Sequence, residues 1–329
     1  MRLAKVLALL GLIVAIAFTG SLLIGPAALG WQPSLHALFF GDNEATRLVM
    51  REIRLPRAIL GASIGATLGL SGAALQGYLR NPLADPGVLG ISASASFGAV
   101  LAVYFGAATL APLTLPLSAI AGAAVAAFIV RILAGRDAGT LTLILAGVAV
   151  SSLAGAMTTL ALNLAPSPFA ALEIVFWMLG SLNDRSMVHV WLALPFMAVG
   201  WIMLLMSARA LDALTLGADV AATLGESPMR TQFLVVVGSA VAVGAATAVA
   251  GAIAFVGLIV PHLLRSAVGA RPSRLLPASA LGGAALVLLA DIAVRVIAPE
   301  RDIKLGVLTA LIGAPFFLWL VLEMRREEL

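Results

Sequence analysis

Charged residues cut this chain into long apolar stretches, and the lengths of those stretches decide what it can fold into. A helix needs about 20 predominantly apolar residues to cross the hydrocarbon core of a bilayer. Residues 6–41, 58–79, 86–130, 138–172, 186–208, 231–264, 275–290 and 305–322 carry no Asp, Glu, Lys or Arg. By length they hold ten crossings. The first runs from Val6 towards the Gly25-Pro26 breaker, and the second from Ala58 to Leu79. The 45 residues from Pro86 to Val130 hold two, parted at Pro112 to Pro116. Residues 138–172 hold the fifth and a short leftover segment around Pro166 and Pro168, and Ser186 to Ala208 is the sixth. Residues 231–264 hold a seventh and a short eighth that turn near Gly251, and the last two stretches complete the set. Charged residues are 11% of the chain, against about 25% in soluble domains, which leaves too little polar surface for a water-soluble globule. A soluble enzyme is thereby excluded. So is a nucleic-acid binder, because the basic residues are single arginines rather than a patch. The absence of cysteine excludes disulfides, thiolate metal sites and a cysteine nucleophile. The expectation is an all-α integral membrane protein, a single transmembrane domain over residues 1–329.

Arg2 and Lys5 precede the first apolar run. That run is about 19 residues long, beyond the roughly 7–15 of a signal-peptide core, and reads as a retained anchor. An even number of crossings puts both termini on one side, and the basic tails (Arg2, Lys5, Arg325, Arg326) assign that side to the cytoplasm. On this topology 12 of the 20 Lys and Arg residues face the cytoplasm and 8 face outward. The outward group is concentrated: Arg47, Arg51, Arg54 and Arg57 crowd one segment, and Arg295, Arg301 and Lys304 another. Either a topology assigned the wrong way round or a docking surface for an acidic partner would explain that excess.

Within the spans, Gly61, Gly65, Gly69, Ala73 and Gly77 recur every four residues, a stripe that lets helix backbones approach closely in lipid. At an offset of 179 residues, Gly65-Ala66, Gly72-Ala73, Leu79 and Pro82 find counterparts in Gly244-Ala245, Gly251-Ala252, Leu258 and Pro261. The copies begin on spans two and seven, which run in opposite directions. This is a weak inverted repeat of spans 2–5 and 7–10, a pattern common in transporters. In the segment from Arg80 to Gly87, Asp85 suits a helix N-cap and Pro86 the first helical position. Between spans six and seven, Leu211, Leu214, Ala218, Ala221 and Leu224 recur at helical spacing, and Gly217 and Gly225 punctuate them. Ser227-Pro228 then opens the seventh span.

What the spans lack narrows the mechanism. There is no G-x-x-x-x-G-K-[ST] phosphate loop, so no ATP is expected on this chain. Ion-coupled carriers need buried ionisable groups, and the candidates are Asp291 with Arg295, four residues apart, and His262. The first pair reads as a structural ion pair and the second as a hydrogen-bonded structural histidine. The fifth span is uncharged from Thr140 to Leu162, so a pathway lined by it would be neutral. An intramembrane enzyme finds no paired His/Glu or Ser/Lys constellation. On these grounds an importer subunit driven by a partner and a stand-alone ion-coupled transporter both remain open.

Five stretches together resemble the FecCD family, the membrane permeases of bacterial ABC importers for iron chelates, haem and cobalamin. They are Arg54-Leu55-Pro56-Arg57; Ser71-Gly72 followed by Asn81-Pro82-Leu83-Ala84-Asp85-Pro86-Gly87; Gly251 to Arg265; Leu289-Ala290-Asp291; and Gly306 to Pro315. The resemblance runs over nearly the whole chain. It implies a homodimer in the bacterial inner membrane, two ATP-binding cassette subunits that carry ATP and Mg, and a periplasmic binding protein, with ferric siderophores favoured as cargo over cobalamin and haem. It implies docking of the binding protein at Arg54, Arg57 and Arg295. It implies coupling to the ATPase through Leu214, Leu216, Gly217, Asp219, Ala221, Leu224 and Gly225, within a cytosolic stretch over residues 209–228. Cytoplasmic gates are implied at Asn81, Leu83 and Thr140. The chain departs from the family pattern at Ala222, where an arginine is common.

Overall fold

The computed structural model describes residues 2–25, 29–40, 43–107, 111, 113–135, 140–297 and 303–327. Every regular element among them is helical. In order these are α1 (Arg2–Leu23), α2 (Trp31–Phe39), α3 (Glu44–Leu48), a π-helical turn (Val49–Arg54) and α4 (Leu55–Leu79). A 3-10 turn (Pro86–Leu89) leads into α5 (Ile91–Tyr104), α6 (Thr114–Ala134), α7 (Thr140–Asn163), α8 (Pro168–Met178) and α9 (Met187–Met206). Then come α10 (Ala208–Leu214), α11 (Ala218–Thr223), α12 (Pro228–Ala250), α13 (Val256–Val268), α14 (Pro272–Ile297) and α15 (Leu305–Glu327).

Among the described residues, eight helical stretches are long and apolar enough to cross a membrane: α1, the continuous run 44–79, α6, α7, α9, α12, α14 and α15. The shorter α5 and α13 take the third and eighth places, completing the expected ten, and α8 is the leftover segment after span five. At 1.5 Å per residue α5 and α13 rise only about 20 Å, less than the roughly 30 Å hydrocarbon core. Non-helical backbone must make up the difference, and it is tolerated at that depth only inside protein. Part of that backbone is paired across a junction before α13. The Ser181 amide donates to the Ala250 carbonyl at 2.7 Å and the Gly306 amide to the Gly180 carbonyl at 3.0 Å. Gly251 and Gly180 both have positive φ, and a Cβ on either would strike the other segment's backbone, at the carbonyls of Trp177 and Ala252. The turn expected near Gly251 is therefore a backbone-to-backbone junction between the ends of α8, α12 and the start of α15.

The most enclosed helices are α4 and α12. The four-residue stripe on α4 does what its spacing suggests. A Cβ at Gly65 would overlap the Gly283 carbonyl and one at Gly69 the Ser279 carbonyl, so α4 and α14 touch backbone to backbone. Gly72 approaches Gly257 of α13 in the same way. Trp201 of α9 donates its indole N–H to Thr67 Oγ1 of α4 at 2.8 Å. The second span thus packs on the ninth, and the seventh on the fourth (α12 on α6), the pairing that an inverted repeat requires. The residue offset read from the sequence does not follow that symmetry throughout. Gly65 and Gly244 both lie mid-helix, but Gly72 and Leu79 lie within α4 whereas Gly251 and Leu258 straddle the α12–α13 break.

Local signals hold at several boundaries. Asp85 Oδ1 accepts the Gly87 amide at 2.9 Å, although it opens the short 3-10 turn and α5 begins only after Gly90. Ser227 Oγ accepts the Arg230 amide, with Pro228 opening α12. Two differences stand out. The helix α2 was not expected, and the break between spans three and four falls before Thr114, so Pro116 sits in the first turn of α6, where proline is tolerated.

Candidate functional site

The residues singled out by the sequence fall in three places, at the two ends of the bundle and along α7. At one end α1, α4 and α14 meet around Asp291, which is 1% exposed. Arg57 Nη2 lies 2.8 Å from Asp291 Oδ1, and Arg295 Nη2 lies 2.9 Å from Oδ2. The expected i,i+4 pair is present, and Arg57 from α4 joins it. Arg295 also donates to the Ser21 carbonyl (2.9 Å), to Ser21 Oγ (2.8 Å) and to the Ile24 carbonyl. Arg54 Nη1 donates to the carbonyls of Leu22 and Leu23, each at 2.9 Å. These are orphan acceptors at the carboxyl end of α1, where cations are favoured. Of the three arginines expected on a docking surface, Arg54 and Arg295 are therefore buried, at 4% and 8% exposure, and clamp α1. Only the Arg57 side chain reaches the surface, at 15%.

At the opposite end, α10 and α11 form a short hairpin between α9 and α12. Gly217 and Gly225 hold φ of 117° and 85°, values that a residue with a Cβ adopts only under strain. Leu216, Val220 and Leu224 are exposed at 65%, 40% and 63%, spaced four residues apart. Asp219 is exposed, whereas Ala221 is buried and Leu214 half-buried against the core. Val220 shares the exposed face of Leu216 and Leu224 and was not singled out from the sequence, although the i,i+4 spacing of 216, 220 and 224 was the signal for it. Asp212 of α10 was also missed. Its Oδ1 accepts the Ser273 amide at 2.8 Å and its Oδ2 the Arg271 Nε–H at 3.1 Å, capping α14 from outside. Leu211 packs beside Gly77 and Pro272, so the hairpin is seated on the ends of α4 and α14.

The turn after α4 lies at this same end. Arg80 ends the helix in the left-handed region, and Asn81 Oδ1 accepts the Leu83 amide at 2.9 Å. Asn81 and Leu83 are half-buried in one turn. The following residues lean on α7: a Cβ at Gly147 would overlap the Val88 carbonyl, and Ser151 Oγ approaches the Gly87 carbonyl at 3.4 Å. Thr140 is the first residue of α7, and its side chain lies outside the described residues. On the other side Gln76 Nε2 donates to the Gly257 carbonyl at 3.2 Å, and its Oε1 accepts from Arg265 at 2.9 Å, tying α4 to α13. His262 packs edge-on against Phe316 at 5.8 Å, and its Nδ1 makes no hydrogen bond, so the bond expected of it is absent there.

Helix α7 leaves a broad face uncovered. Along its centre run Thr142, Leu145, Ala149, Ser152, Ala156, Thr159 and Asn163, all exposed and none charged. Exposed leucines at 141, 145, 153 and 160 share this face, so it is apolar with small and weakly polar residues interleaved, and it is uncharged throughout.

The fold and these sites together define a polytopic helical membrane protein, with short helices at two of its crossings and an apolar hairpin projecting at one end. The sequence matches the model of the FecCD transport family over residues 12–323. It is 43% identical over 287 residues to the cobalamin import system permease protein of Halobacterium salinarum, covering 86% of this chain and 76% of that one. It is 40% identical over 319 residues to the ferric enterobactin transport system permease protein of Escherichia coli, covering 96% and 94%. Among solved structures it is similar to an inward-facing metal-chelate type ABC transporter, with a TM-score of 0.87, 32% identity, and 97% and 99% of the two chains covered. The chain belongs to the FecCD transport family.

Proposed function

We propose that this chain is the membrane permease subunit of a binding-protein-dependent ABC importer for a metal chelate, in the inner membrane with both termini cytoplasmic. The observation that carries the reading is the hairpin of α10 and α11. It presents Leu216, Val220 and Leu224 to solvent and is seated through Asp212 on α14. Exposed leucines on a short rigid projection are a surface for a soluble partner, and here that partner is the ATPase, which supplies ATP and Mg chemistry that this chain does not. When ATP closes the ATPase dimer, the hairpins move with it, and α14 and α4 carry the motion into the bundle.

In this reading two copies of the chain face one another across the uncharged stripes of α7, which line a neutral pathway. The turn at Asn81 and Leu83, braced on α7, and the start of α7 at Thr140 form its cytoplasmic gates. The binding protein docks at the arginine end. Arg57 and Arg295 share a single carboxylate, so acidic side chains from a partner complement the excess positive charge, with Arg57 the accessible member and Arg54 and Arg295 behind it. A ligand shifts an equilibrium only through different affinities for its two states; ATP and the loaded binding protein supply that difference. A ferric siderophore is the favoured cargo, then cobalamin, then haem.

The test is to purify the tagged permease from its native membrane, identify the proteins that accompany it and assay vanadate-sensitive ATPase activity. An ATPase at one-to-one, stimulated by an extracytoplasmic binding protein, supports the reading, and the ligand of that protein names the cargo. A permease that purifies alone and transports without ATP would overturn it. Replacing Leu216 and Leu224 together with Asp should cost ~2 kcal/mol or more of ATPase binding, as truncating an interface anchor does, without altering the melting of the isolated permease. Asp212→Ala should weaken coupling differently. The ATPase should remain bound, but the helix cap, worth about 0.5–2 kcal/mol, is gone, so ATP turnover should rise relative to transport. An unchanged ratio of the two would remove Asp212 from the coupling route.

A further inference from the structure

We propose that the groove between α6, α9 and α12 binds an anionic phospholipid, with one acyl chain along the groove and the phosphate on Arg131. The groove has a volume of about 370 Å³ and is lined by Ala123, Ala127, Ala240 and Gly244 between walls made by Phe128 and Phe196. Near its inner end α6 and α12 touch, because a Cβ at Gly244 would lie 2.5 Å from that of Ala123. From there it opens towards the end that carries the hairpin of α10 and α11. Phe128 is 65% exposed and Phe196 40%, so the groove faces outward, not into the bundle.

The chemistry of the open end selects the occupant. Arg131 stands over the face of Phe233, 5.8 Å from the ring centroid. The ring provides some stabilisation of the cation, but among the described residues no carboxylate or carbonyl pairs with it. Arg230 lies one helical turn before Phe233, on the face of α12 that continues into Val237 and Gly244 of the groove. Its side chain is exposed and likewise lacks an acidic partner among the described residues. Two cations thus stand at the end of an apolar channel with no anion paired to them among the described residues.

The length of the channel fits the same ligand. Ile120 and Arg131 both line the groove, and the helical rise between them is about 16 Å, close to half the roughly 30 Å hydrocarbon core. The groove therefore spans one leaflet, from near the midplane to the headgroup level, where arginine side chains extend to reach phosphate. A zwitterionic lipid such as phosphatidylcholine fills the apolar part, but its own ammonium offsets its phosphate and leaves the two arginines without net compensation; inorganic phosphate satisfies the arginine and leaves the channel unfilled. An anionic diacyl phospholipid does both. The inference needs only the membrane location and not the importer reading.

The experiment is native mass spectrometry of the full chain, in a complex with whatever subunits accompany it, titrated with phosphatidylglycerol or phosphatidylcholine. Retention of phosphatidylglycerol in preference to phosphatidylcholine is expected. Arg131→Gln should reduce that preference by about fivefold, the factor that one basic residue at a membrane surface supplies. Ala124→Phe, which fills the groove from its exposed side, should reduce retention of phosphatidylglycerol with Arg131 intact, and added inorganic phosphate should not displace the lipid. Equal retention of the two lipids by the unaltered chain, an unchanged preference in Arg131→Gln, or undiminished retention in Ala124→Phe would each overturn the proposal. Arg131 is half-exposed and Ala124 exposed, so neither variant depends on repacking the core.

Discussion

Asp291→Ala is expected to be the most damaging single truncation at the arginine end, lowering stability by about 3–5 kcal/mol, the usual cost of removing one partner of a buried ion pair. The physical reason is the ratio of charges. Arg57 and Arg295 both bond to this one carboxylate, and truncating it leaves two guanidinium groups in a low-dielectric setting without their counter-charge. Arg57→Ala should cost less, because Asp291 keeps Arg295 and the Arg57 side chain is the more exposed of the two. Asp291→Asn separates charge from shape, since it keeps an oxygen acceptor in place and loses the anion. It should fall between the other two. Thermal midpoints from fluorescence-detected size-exclusion chromatography in detergent give the order directly. A fall of roughly 5–10 °C is expected for Asp291→Ala; a midpoint no lower than that of Arg57→Ala would contradict this account.

Gly69→Val should prevent α4 from seating on α14. Overpacking a core costs about 1–3 kcal/mol when neighbouring side chains can yield. Here the obstacle is the Ser279 carbonyl, with the Gly283 backbone beside it, so relief requires moving a whole helix. Loss of the monodisperse permease from detergent extracts is expected, and Gly65→Val should behave alike against the Gly283 carbonyl. Gly11→Val is the control, because nothing lies within 4 Å of a Cβ there. If Gly69→Val and Gly11→Val express and melt equally, the close approach of α4 and α14 is not what holds the bundle together.

The burial of Arg54 and Arg295 changes how a docking surface at this end has to be tested. Charge reversal at either would place a carboxylate against the carbonyl oxygens of Leu22, Leu23 or Ser21, which their guanidinium groups now satisfy. Loss of uptake in such variants would report a displaced α1 as readily as a lost partner. Arg57 is the position where reversal speaks more directly to docking, provided that the melting midpoint is measured alongside. At the other end Leu224 is open to solvent, whereas Leu214 packs on the core, so only the former gives a clean test of coupling.

Much of this architecture was legible because lipid imposes a simple rule on sequence. Ten crossings could be counted from charge-free lengths, and the stripe from Gly61 to Gly77 named the face on which α4 packs. Caps at Asp85 and Ser227 marked two starts because a capping side chain bonds an amide two or three residues away. The hairpin between spans six and seven showed its helical spacing and its glycines for the same local reason. The leftover segment after span five was visible, but its backbone junction with residues 251–252 and 306 was not.

What the sequence determined by itself was therefore the solvent, the number of crossings and the local chemistry of turns and caps, all of which act over a few residues or follow from the absence of charge. The tertiary structure alone decided who meets whom. Arg57 finds Asp291 at a separation of 234 residues and Arg295 finds Ser21 at 274, and no periodicity encodes such a distance. An outward cluster of arginines reads in sequence as a free positive surface; folding spends two of them on the carboxyl end of α1, whose last carbonyls have no partners within the helix. In the same way Asp212 looked like an ordinary polar residue in a cytosolic stretch until α14 was brought beside it.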